Sequence, residues 1–320
     1  MIGCSIILPS RNGADTLPLV LPALESAVAG AAGVEIILVD NASGDGTAEL
    51  MRAFAARTGA KVLAETIPGK SNALNRAIAQ STGEMLVFLD DDAIPCPEWL
   101  EAYREAHAAE PEAALFAGAI TAHWMSRPPE WLSALAGQGR ACGLTPPGRA
   151  AGPVDAHDVK GANFAVLRSA LGTLRFDTQR VNFGVGRRAV GGEDSQLANA
   201  IAASGGALRF VPCAKVAHVI GREEMTLKFQ MQRFARIGRG AAAMGERSTR
   251  NAFICGAKVA AFAGLAAWRF TLGNRMMAAD FLTRAARNYG EFDQSVRQAL
   301  SLEARSASAK GHAGDSPPAR

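Results

Sequence analysis

The fold is indicated first by residues 86–95, which read Leu86-Val87-Phe88-Leu89-Asp90-Asp91-Asp92-Ala93-Ile94-Pro95. The apolar run predicts a buried strand, and three aspartates follow it directly. Carboxylates this close repel one another unless a cation lies among them, and hard oxygen ligands favour Mg²⁺ or Mn²⁺. The stretch therefore predicts a metal site at the end of a buried strand, with an acidic turn that caps the next helix as the simpler alternative.

On both sides of this stretch, over residues 1–120, short runs of β-branched residues alternate with segments of helical periodicity. This alternation is typical of βαβ units, so we predict an α/β fold with a mostly parallel central sheet flanked by helices. Strands are predicted at Ser5–Leu8, Glu35–Val39, Lys61–Ala64, Met85–Leu89 and Ala114–Gly118, and later near Leu208–Val211. In such a sheet, ligands bind beyond the carboxyl ends of the strands. The polar residues that follow the strands should therefore meet at one edge.

A second polar segment, Asp40-Asn41-Ala42-Ser43-Gly44-Asp45-Gly46, follows the second predicted strand. A carboxylate at the end of a strand can accept hydrogen bonds from a nucleobase or a ribose. An Asn/Asp/Gly loop that only makes a turn is the alternative.

The composition excludes some classes of partner and compartment. The net charge is only +4 with charges of both signs interspersed, so we expect no nucleic acid partner. The five cysteines are odd in number and widely spaced, which favours free thiols in a reducing compartment. Polar residues arrive by Ser10, so we expect no secretory signal and a cytoplasmic location.

The chain is predicted to have a catalytic domain over residues 1–225, with a nucleotide-binding half over about 1–120 and an acceptor half over 121–225. A C-terminal helical extension follows over 226–303, with a disordered tail over 304–320. The apolar stretch Ala252 to Trp268 is interrupted by Lys258 and is shorter than the roughly 20 residues needed to span a bilayer. We expect it to be a buried or surface-lying helix.

The order and spacing of these motifs resemble the family 2 glycosyltransferases. The resemblance rests on Pro9-Ser10-Arg11-Asn12, Val39-Asp40-Asn41, Asn75 before Gly83-Glu84, and Asp90-Asp91-Asp92. It implies a GT-A fold and a nucleotide-sugar donor, with Asp90 and Asp92 holding the ribose and a divalent metal on the donor pyrophosphate. His218 lies where relatives often carry a histidine near the metal. The nucleotide-binding residues so implied are Pro9, Ser10, Arg11, Asn12, Asp40, Asn41, Lys70, Asn75, Asp90 and Asp91.

The resemblance continues on the acceptor side. Lys160-Gly161-Ala162-Asn163-Phe164 resembles the segment that lines the sugar, and Gly191-Gly192-Glu193-Asp194-Ser195 resembles the Glu-Asp motif whose aspartate is the general base. Asp194, with Glu193, would then be catalytic, and a short acidic N-cap is the alternative. Trp124 could stack on a sugar face, and Arg187 could belong to a loop that closes over the pyrophosphate or an anionic acceptor.

These features predict an inverting glycosyltransferase, since one base and no evident nucleophile are present. It would transfer a sugar from a nucleotide-diphosphate sugar, with a UDP-sugar favoured, to a carbohydrate or lipid-linked sugar acceptor in polysaccharide or glycolipid assembly. Basic and apolar residues over 251–290 predict peripheral contact with the inner face of the cell membrane.

Two other functions stay open on the sequence. The first is a nucleotide-sugar-binding protein without turnover. The second is an NTPase, because Gly69-Lys70-Ser71 resembles the end of a P-loop. That motif needs a glycine five residues before Gly69, where this chain has Ala64.

Overall fold

The computed structural model describes residues 2–178, 190–244 and 249–312. The chain divides into two compact units, one formed by Met1–Gly184 with Gly192–Met225 and the other by Val185–Gly191 with Thr226–Arg320. The strands, all in the first unit, are β1 Cys4–Ser10, β2 Val34–Asp40, β3 Lys61–Ala64, β4 Met85–Leu89, β5 Ala93–Pro95, β6 Ala113–Trp124, β7 Gly152–Pro153, β8 Asn163–Leu167 and β9 Ala207–Ile220. Its helices are α1 Leu17–Ala27, α2 Thr47–Thr58, α3 Lys70–Gln80, α4 Trp99–Ala109, α5 Glu130–Ala136, α6 Arg168–Leu171 and α7 Glu193–Ala203.

The strands form one sheet in the order β3-β2-β1-β4-β8-β6-β9-β5, with β7 paired to β9. The pairs β3–β2, β2–β1, β1–β4 and β6–β9 are parallel, and β8 lies antiparallel between β4 and β6. Successive residues of β1 point to opposite faces, and both faces are buried: Ile6 packs in one apolar cluster and Ile7 in the other. The predicted α/β fold with parallel strands at its core and helices on both faces is confirmed.

Glu35, at the start of β2, joins the beginnings of four strands. Its carboxylate accepts hydrogen bonds from Ser5 Oγ at 2.5 Å, Lys61 Nζ at 2.7 Å and Thr82 Oγ1 at 2.8 Å. Burial alone would raise the pKa of Glu35, but these hydrogen bonds lower it to about 2. The side chain is therefore ionised at neutral pH and aligns the strand starts on the edge opposite the polar loops.

Asn163, the first residue of β8, is a fully buried hydrogen-bonding centre. Its Oδ1 accepts from Trp99 Nε1 and Tyr103 OH, both at 2.7 Å, and its Nδ2 donates to the carbonyls of Ala119 at 2.9 Å and Ala214 at 2.8 Å. An amide has two donor hydrogens and two acceptor lone pairs, and all are used here. The side chain of Asn163 therefore uses its hydrogen-bonding groups inside the fold, and its predicted contact with the sugar stays a prediction.

The contact of Asn163 with Ala214 lies at an irregularity in β9. The pairing of β6 with β9 shifts there, from Gly118 opposite Val211 to Ala119 opposite Lys215. The second part of β9 then brings His218 opposite Ala93 of β5. Strands β6 and β9 are both longer than predicted, since the predicted ranges Ala114–Gly118 and Leu208–Val211 cover only the first part of each. Asn163 thus supports the register that carries His218.

The second unit contains α8 Leu227–Met244, α9 Thr249–Thr271 and α10 Arg275–His312. The last helix extends past the start of the predicted disordered tail at 304, and residues 313–320 lie outside the described part of the chain. A Cβ added at Gly290 would lie 1.8 Å from the carbonyl oxygen of Ala235, and one at Gly238 would lie 2.0 Å from that of Arg287. The backbones of α8 and α10 therefore touch, which only glycine permits.

The helix α9 differs from the prediction in length. Its stretch Ala252–Thr271 has 20 residues with a mean hydropathy of 1.3, which is long and apolar enough to cross a membrane by length and composition alone. The sequence pattern predicts the end of the apolar run at Trp268. The helix continues because Arg269 is followed by Phe270 and Thr271, so the run is interrupted by a single charge and not ended by it.

Candidate active site

The carboxyl ends of β1, β2 and β4 meet at one edge of the sheet around an open cleft. Seven residues line it: Pro9, Ser10, Arg11, Asn41, Lys70, Asp90 and Asp91. All seven belong to the set that the sequence predicts to bind a nucleotide. They come together because each ends or follows a parallel strand or begins the helix after one.

The buried side chain of Asn41 fixes the loop that precedes α3. Its Nδ2 donates to the carbonyls of Glu65 at 3.2 Å and Ile67 at 2.8 Å, and its Oδ1 accepts from the backbone N–H of Gly69 at 2.8 Å. This loop leads directly into Lys70, the first residue of α3. Asn41 therefore positions Lys70 at the wall of the cleft.

Lys70 lies between two groups of carboxylates. Its ammonium forms an ion pair with Asp90. Burial alone would lower the pKa of Lys70, but the negative charges of Asp90 and Glu193 raise it above its usual value, with Asp194 acting in the same direction. Lys70 is therefore always charged, and it is the cation that joins the end of β4 to the start of α7.

Gly161 leaves the space in which these groups approach. A Cβ at this position would lie 3.0 Å from Lys70 Nζ and 3.3 Å from Asp194 Oδ2. The N–H of Gly161 donates to Asp194 Oδ2 at 2.5 Å. The predicted sugar-side residue Gly161 is thus in direct contact with the predicted base. The carbonyl of Ala162, the next residue, accepts a hydrogen bond from the N–H of Asp90 at 3.4 Å.

Asp194 and Glu193 begin α7, but neither caps it. The N-cap is Gly192, whose φ of 93° is left-handed, and no side chain caps the helix. Asp194 Oδ1 accepts from the N–H of Ser195 at 2.8 Å, while Oδ2 is held by Gly161. The acidic N-cap alternative is therefore wrong. Two hydrogen bonds therefore fix the orientation of the Asp194 side chain at the start of the helix.

The three aspartates after β4 place excess negative charge in a partly enclosed space. Burial, followed by the charge of Asp92, raises the pKa of Asp91 to about 7, against a hydrogen bond from Ser10 that lowers it. Burial also raises the pKa of Asp90, with the charge of Lys70 opposing it and that of Asp92 adding to it. A divalent cation would relieve this repulsion.

His218 and Asp92, which follows the end of β4, lie in direct contact. His218 Nδ1 lies 2.8 Å from the carbonyl oxygen of Cys142, and Nε2 lies 3.2 Å from Asp92 Oδ2. Because a carbonyl can only accept, Nδ1 carries a hydrogen in this contact, and Nε2 faces the carboxylate. A histidine held this way by a backbone carbonyl is typical of metal ligands. The donor set of Asp90, Asp92 and His218 therefore fits Mn²⁺ or Mg²⁺.

The contact between the carbonyl of Cys142 and the ring of His218 is not predicted from the sequence. Cys142 is buried with a φ of 56°, a left-handed conformation that is uncommon for a residue other than glycine. It acts through its backbone carbonyl, at 76 residues from His218 in the chain. No side-chain pattern could have indicated it.

Asp155, His157 and Asp158 form a separate group whose potential ligand atoms lie within 4.8 Å of one another. Asp155 and His157 are exposed, and Asp158 is paired with Arg149 at 3.0 Å. Exposed acidic groups of this kind are common without a metal. The group is distinct from the aspartates after β4.

The other predicted residues are placed as follows. Asn75 makes two hydrogen bonds to the backbone of Phe176, Nδ2 donating to its carbonyl and Oδ1 accepting from its N–H, both at 2.9 Å, and its predicted nucleotide contact stays a prediction. Asn12 is exposed, and its Oδ1 accepts from the N–H of Gly44 at 2.8 Å. Asp40 ends β2 half-buried, with Oδ1 accepting from the N–H of Ser43 at 3.2 Å. Trp124 ends β6 and packs against the core, and Arg187 lies outside the described residues.

An α/β sheet with a carboxylate-lined cleft at its polar edge has the architecture of the GT-A proteins, and solved structures bear this out. Mannosyltransferase PcManGT from Pyrobaculum calidifontis, in complex with GDP-Man and Mn²⁺, has a TM-score of 0.56 at 20% identity, over 98% of this chain and 80% of its own. S. aureus TarS 1–349 in complex with UDP has a TM-score of 0.50 at 14% identity, over 93% of this chain and 92% of its own. Both establish the fold.

The chain belongs to glycosyl transferase family 2, whose profile matches residues 5–175. Glycosyltransferase AglE of Haloferax volcanii is 38% identical over 99 residues, which are 30% of this chain and 33% of AglE. A PGL/p-HBAD biosynthesis glycosyltransferase of Mycobacterium tuberculosis is 34% identical over 90 residues, 28% of this chain and 34% of that protein. The similarity therefore spans about a third of these curated relatives.

Proposed function

We propose that this protein is an inverting, metal-dependent glycosyltransferase that moves a sugar from a nucleotide-diphosphate sugar to a hydroxyl acceptor. The observation that carries the proposal is the position of Lys70, whose ammonium pairs with Asp90 on one side and lies near Asp194 across Gly161 on the other. The carboxylates that would hold the donor and the carboxylate that would take the acceptor proton are thus parts of one site.

Asp194 is the proposed general base. The attacking hydroxyl loses its proton to Asp194 Oδ2, which the N–H of Gly161 orients at 2.5 Å. Lys70 provides positive charge next to the position where charge develops on the departing diphosphate. A divalent metal held by Asp90, Asp92 and His218 would supply Lewis-acid stabilisation of that leaving group. A single base with direct attack inverts the anomeric centre.

The donor is proposed to be a UDP-sugar, with a GDP-sugar as the next choice. The TarS fragment of similar fold binds UDP, and PcManGT binds GDP-Man with Mn²⁺. The acceptor is proposed to be a carbohydrate or a lipid-linked sugar, in polysaccharide or glycolipid assembly on the cytoplasmic side of the membrane. The names of AglE and the mycobacterial relative favour a transferase over a nucleotide hydrolase.

Calorimetric titration of UDP, GDP and dTDP, each with and without Mn²⁺, tests the donor site. We expect one nucleotide to bind tightly, and only with the metal. Asp92→Ala should abolish the metal-dependent binding, while Glu49→Gln, which alters an exposed carboxylate on α2, should leave that binding unchanged. Metal-independent binding, or equal binding by Asp92→Ala, would exclude the proposed metal site.

Asp194→Asn separates the transferase from a protein that only binds nucleotide-sugars. The variant should bind the nucleotide as the parent does and lose about 10²- to 10⁴-fold in turnover, since general-base catalysis contributes that much. Product stereochemistry by NMR checks inversion. Turnover equal to that of the parent would remove Asp194 from the base role, and absence of turnover in the parent with every donor would favour the binding protein.

A further inference from the structure

The outward face of α9 is apolar along its length. Phe253 is 80% exposed, Trp268 52% and Phe270 64%, and Leu272 in the turn that follows is 60% exposed. Only 11% of the most apolar window of the helix is buried. A helix facing water normally carries charged residues on its outer face. Large apolar side chains exposed at both ends of one helix instead mark a surface that another phase or molecule covers.

The charges of α9 have one sign. Lys258 and Arg269 are basic, Arg275 follows at the start of α10, and no acidic residue occurs between Thr249 and Thr271. Arg269 lies over the ring of Trp268 at 4.5 Å, so an aromatic residue and a cation are paired at one end of the helix. Tryptophan and basic residues together are typical of the boundary between lipid headgroups and acyl chains.

The inner face of α9 packs on α10. Phe262 stacks on Phe281 with their ring centroids 6.2 Å apart, and Cys255 Sγ lies 3.4 Å from Glu291 Oε2. α10 carries charged pairs along its length, including Arg284 with Asp280 at 3.0 Å. If α9 crossed a bilayer it would draw these charges and Lys258 into the hydrocarbon, which is costly. A helix lying in the plane of the interface keeps them in water.

We propose that the outward face of α9, with the turn after it, lies in the interfacial layer of an anionic lipid bilayer. Phe253, Trp268 and Phe270 would enter the boundary between headgroups and acyl chains, and Lys258, Arg269 and Arg275 would contact anionic headgroups. A second copy of the chain is a poorer occupant. The same face of a second copy would bring basic residues against basic residues without an acidic partner from α9.

Co-sedimentation of the full chain with vesicles tests this surface in the absence of any nucleotide. We expect binding to vesicles of phosphatidylcholine with phosphatidylglycerol and weaker binding to phosphatidylcholine alone. Phe253→Ser and Trp268→Ser should each reduce the affinity about tenfold, as expected for removing one large apolar side chain from the interface. Lys258→Gln should reduce only the preference for anionic vesicles. Leu19→Ser, an exposed apolar residue of α1 in the first unit, is the matched control and should not change binding.

Three results would overturn the proposal. One is equal vesicle binding by the parent, Phe253→Ser and Trp268→Ser. Another is a homodimer, seen by sedimentation velocity without lipid, that Trp268→Ser dissociates while the parent binds no vesicles. The third is resistance of the bound protein to extraction with alkaline carbonate, which would indicate a spanning helix. If only this surface is misassigned, the same variants still bind nucleotide. Failure of the membrane proposal can therefore be distinguished from failure of the proposed donor site.

Discussion

Replacing Gly161 with alanine adds one methyl group at the point where Lys70 and Asp194 approach each other. The added Cβ would lie 3.0 Å from Lys70 Nζ and 3.3 Å from Asp194 Oδ2, and both distances are shorter than an ordinary van der Waals contact. Both neighbours are ends of side chains and can withdraw by a few tenths of an ångström. The substitution therefore displaces the proposed base without disturbing the sheet.

The expected cost falls on turnover and not on folding. A displacement of about 1 Å at a reacting group costs roughly 10²-fold in rate. The smaller shift here, together with weakening of the 2.5 Å hydrogen bond from the Gly161 N–H, should lower kcat about 10- to 100-fold. The free energy of unfolding should change by less than about 1 kcal/mol, since no backbone atom is crowded.

Release of the nucleoside diphosphate from the donor, with a hydroxyl acceptor, measures kcat, and urea denaturation measures stability. Gly264→Ala is the matched control because a Cβ there meets nothing within 4 Å. It should leave kcat unchanged and stabilise its helix by about 0.5 to 1 kcal/mol. The reasoning is refuted if Gly161→Ala keeps kcat within twofold of the parent, or if its loss of activity follows a loss of folded protein.

Three further predictions concern stability. Because the folded pKa of Glu35 is depressed to about 2, its stabilising contribution is complete above the unfolded value of 4.5 and is lost as pH falls through 2. Glu35→Gln should therefore cost about 2 to 3 kcal/mol at pH 7 and less than about 0.5 kcal/mol at pH 2, measured by urea denaturation at both pH values. Asn163→Leu leaves two buried donors and two buried acceptors without partners, so it should cost about 4 kcal/mol of stability and weaken Mn²⁺ binding measured by calorimetry. Unchanged Mn²⁺ affinity would show that Asn163 does not support the strand register that carries His218. Gly290→Ala, with its Cβ 1.8 Å from a backbone oxygen, should cost about 3 kcal/mol by thermal unfolding of the full chain, while a cost near zero would contradict the close crossing of α8 and α10.

The sheet core could be predicted because local pattern and tertiary role agree there. β1, β2 and β4 are buried on both faces, so most of each sequence is a continuous apolar run. The change to polar residues at the end of each run is sharp. The full length of β9 could not be predicted beyond Leu208–Val211, since its residues alternate between buried and partly exposed and include Arg209, Lys215 and His218. Its irregular pairing with β6 further breaks the period on which sequence patterns depend.

The cleft could be predicted to the extent that its residues follow strand ends. Asn75 and Asn163 show the limit, because an asparagine beside a binding motif is equally able to satisfy buried backbone groups. Asn75 holds Phe176, which follows it by 101 residues, and Asn163 holds Ala214. These partners lie far away in the chain, so no local pattern separates a ligand contact from a structural one. The backbone contact of Cys142 with His218 has the same origin.

Charge balance at the cleft gives the physical reason for a metal. Asp90, Asp91 and Asp92 lie in succession, and their mutual repulsion with burial is strong enough to raise the pKa of Asp91 to about 7. Lys70 offsets one of these charges through its ion pair. A diphosphate brings further negative charge to the same edge, so a donor without a counterion would meet repulsion from carboxylates that are already incompletely neutralised. We therefore expect a divalent cation to enter together with a nucleotide diphosphate, so that removing the metal lowers donor affinity before it lowers turnover.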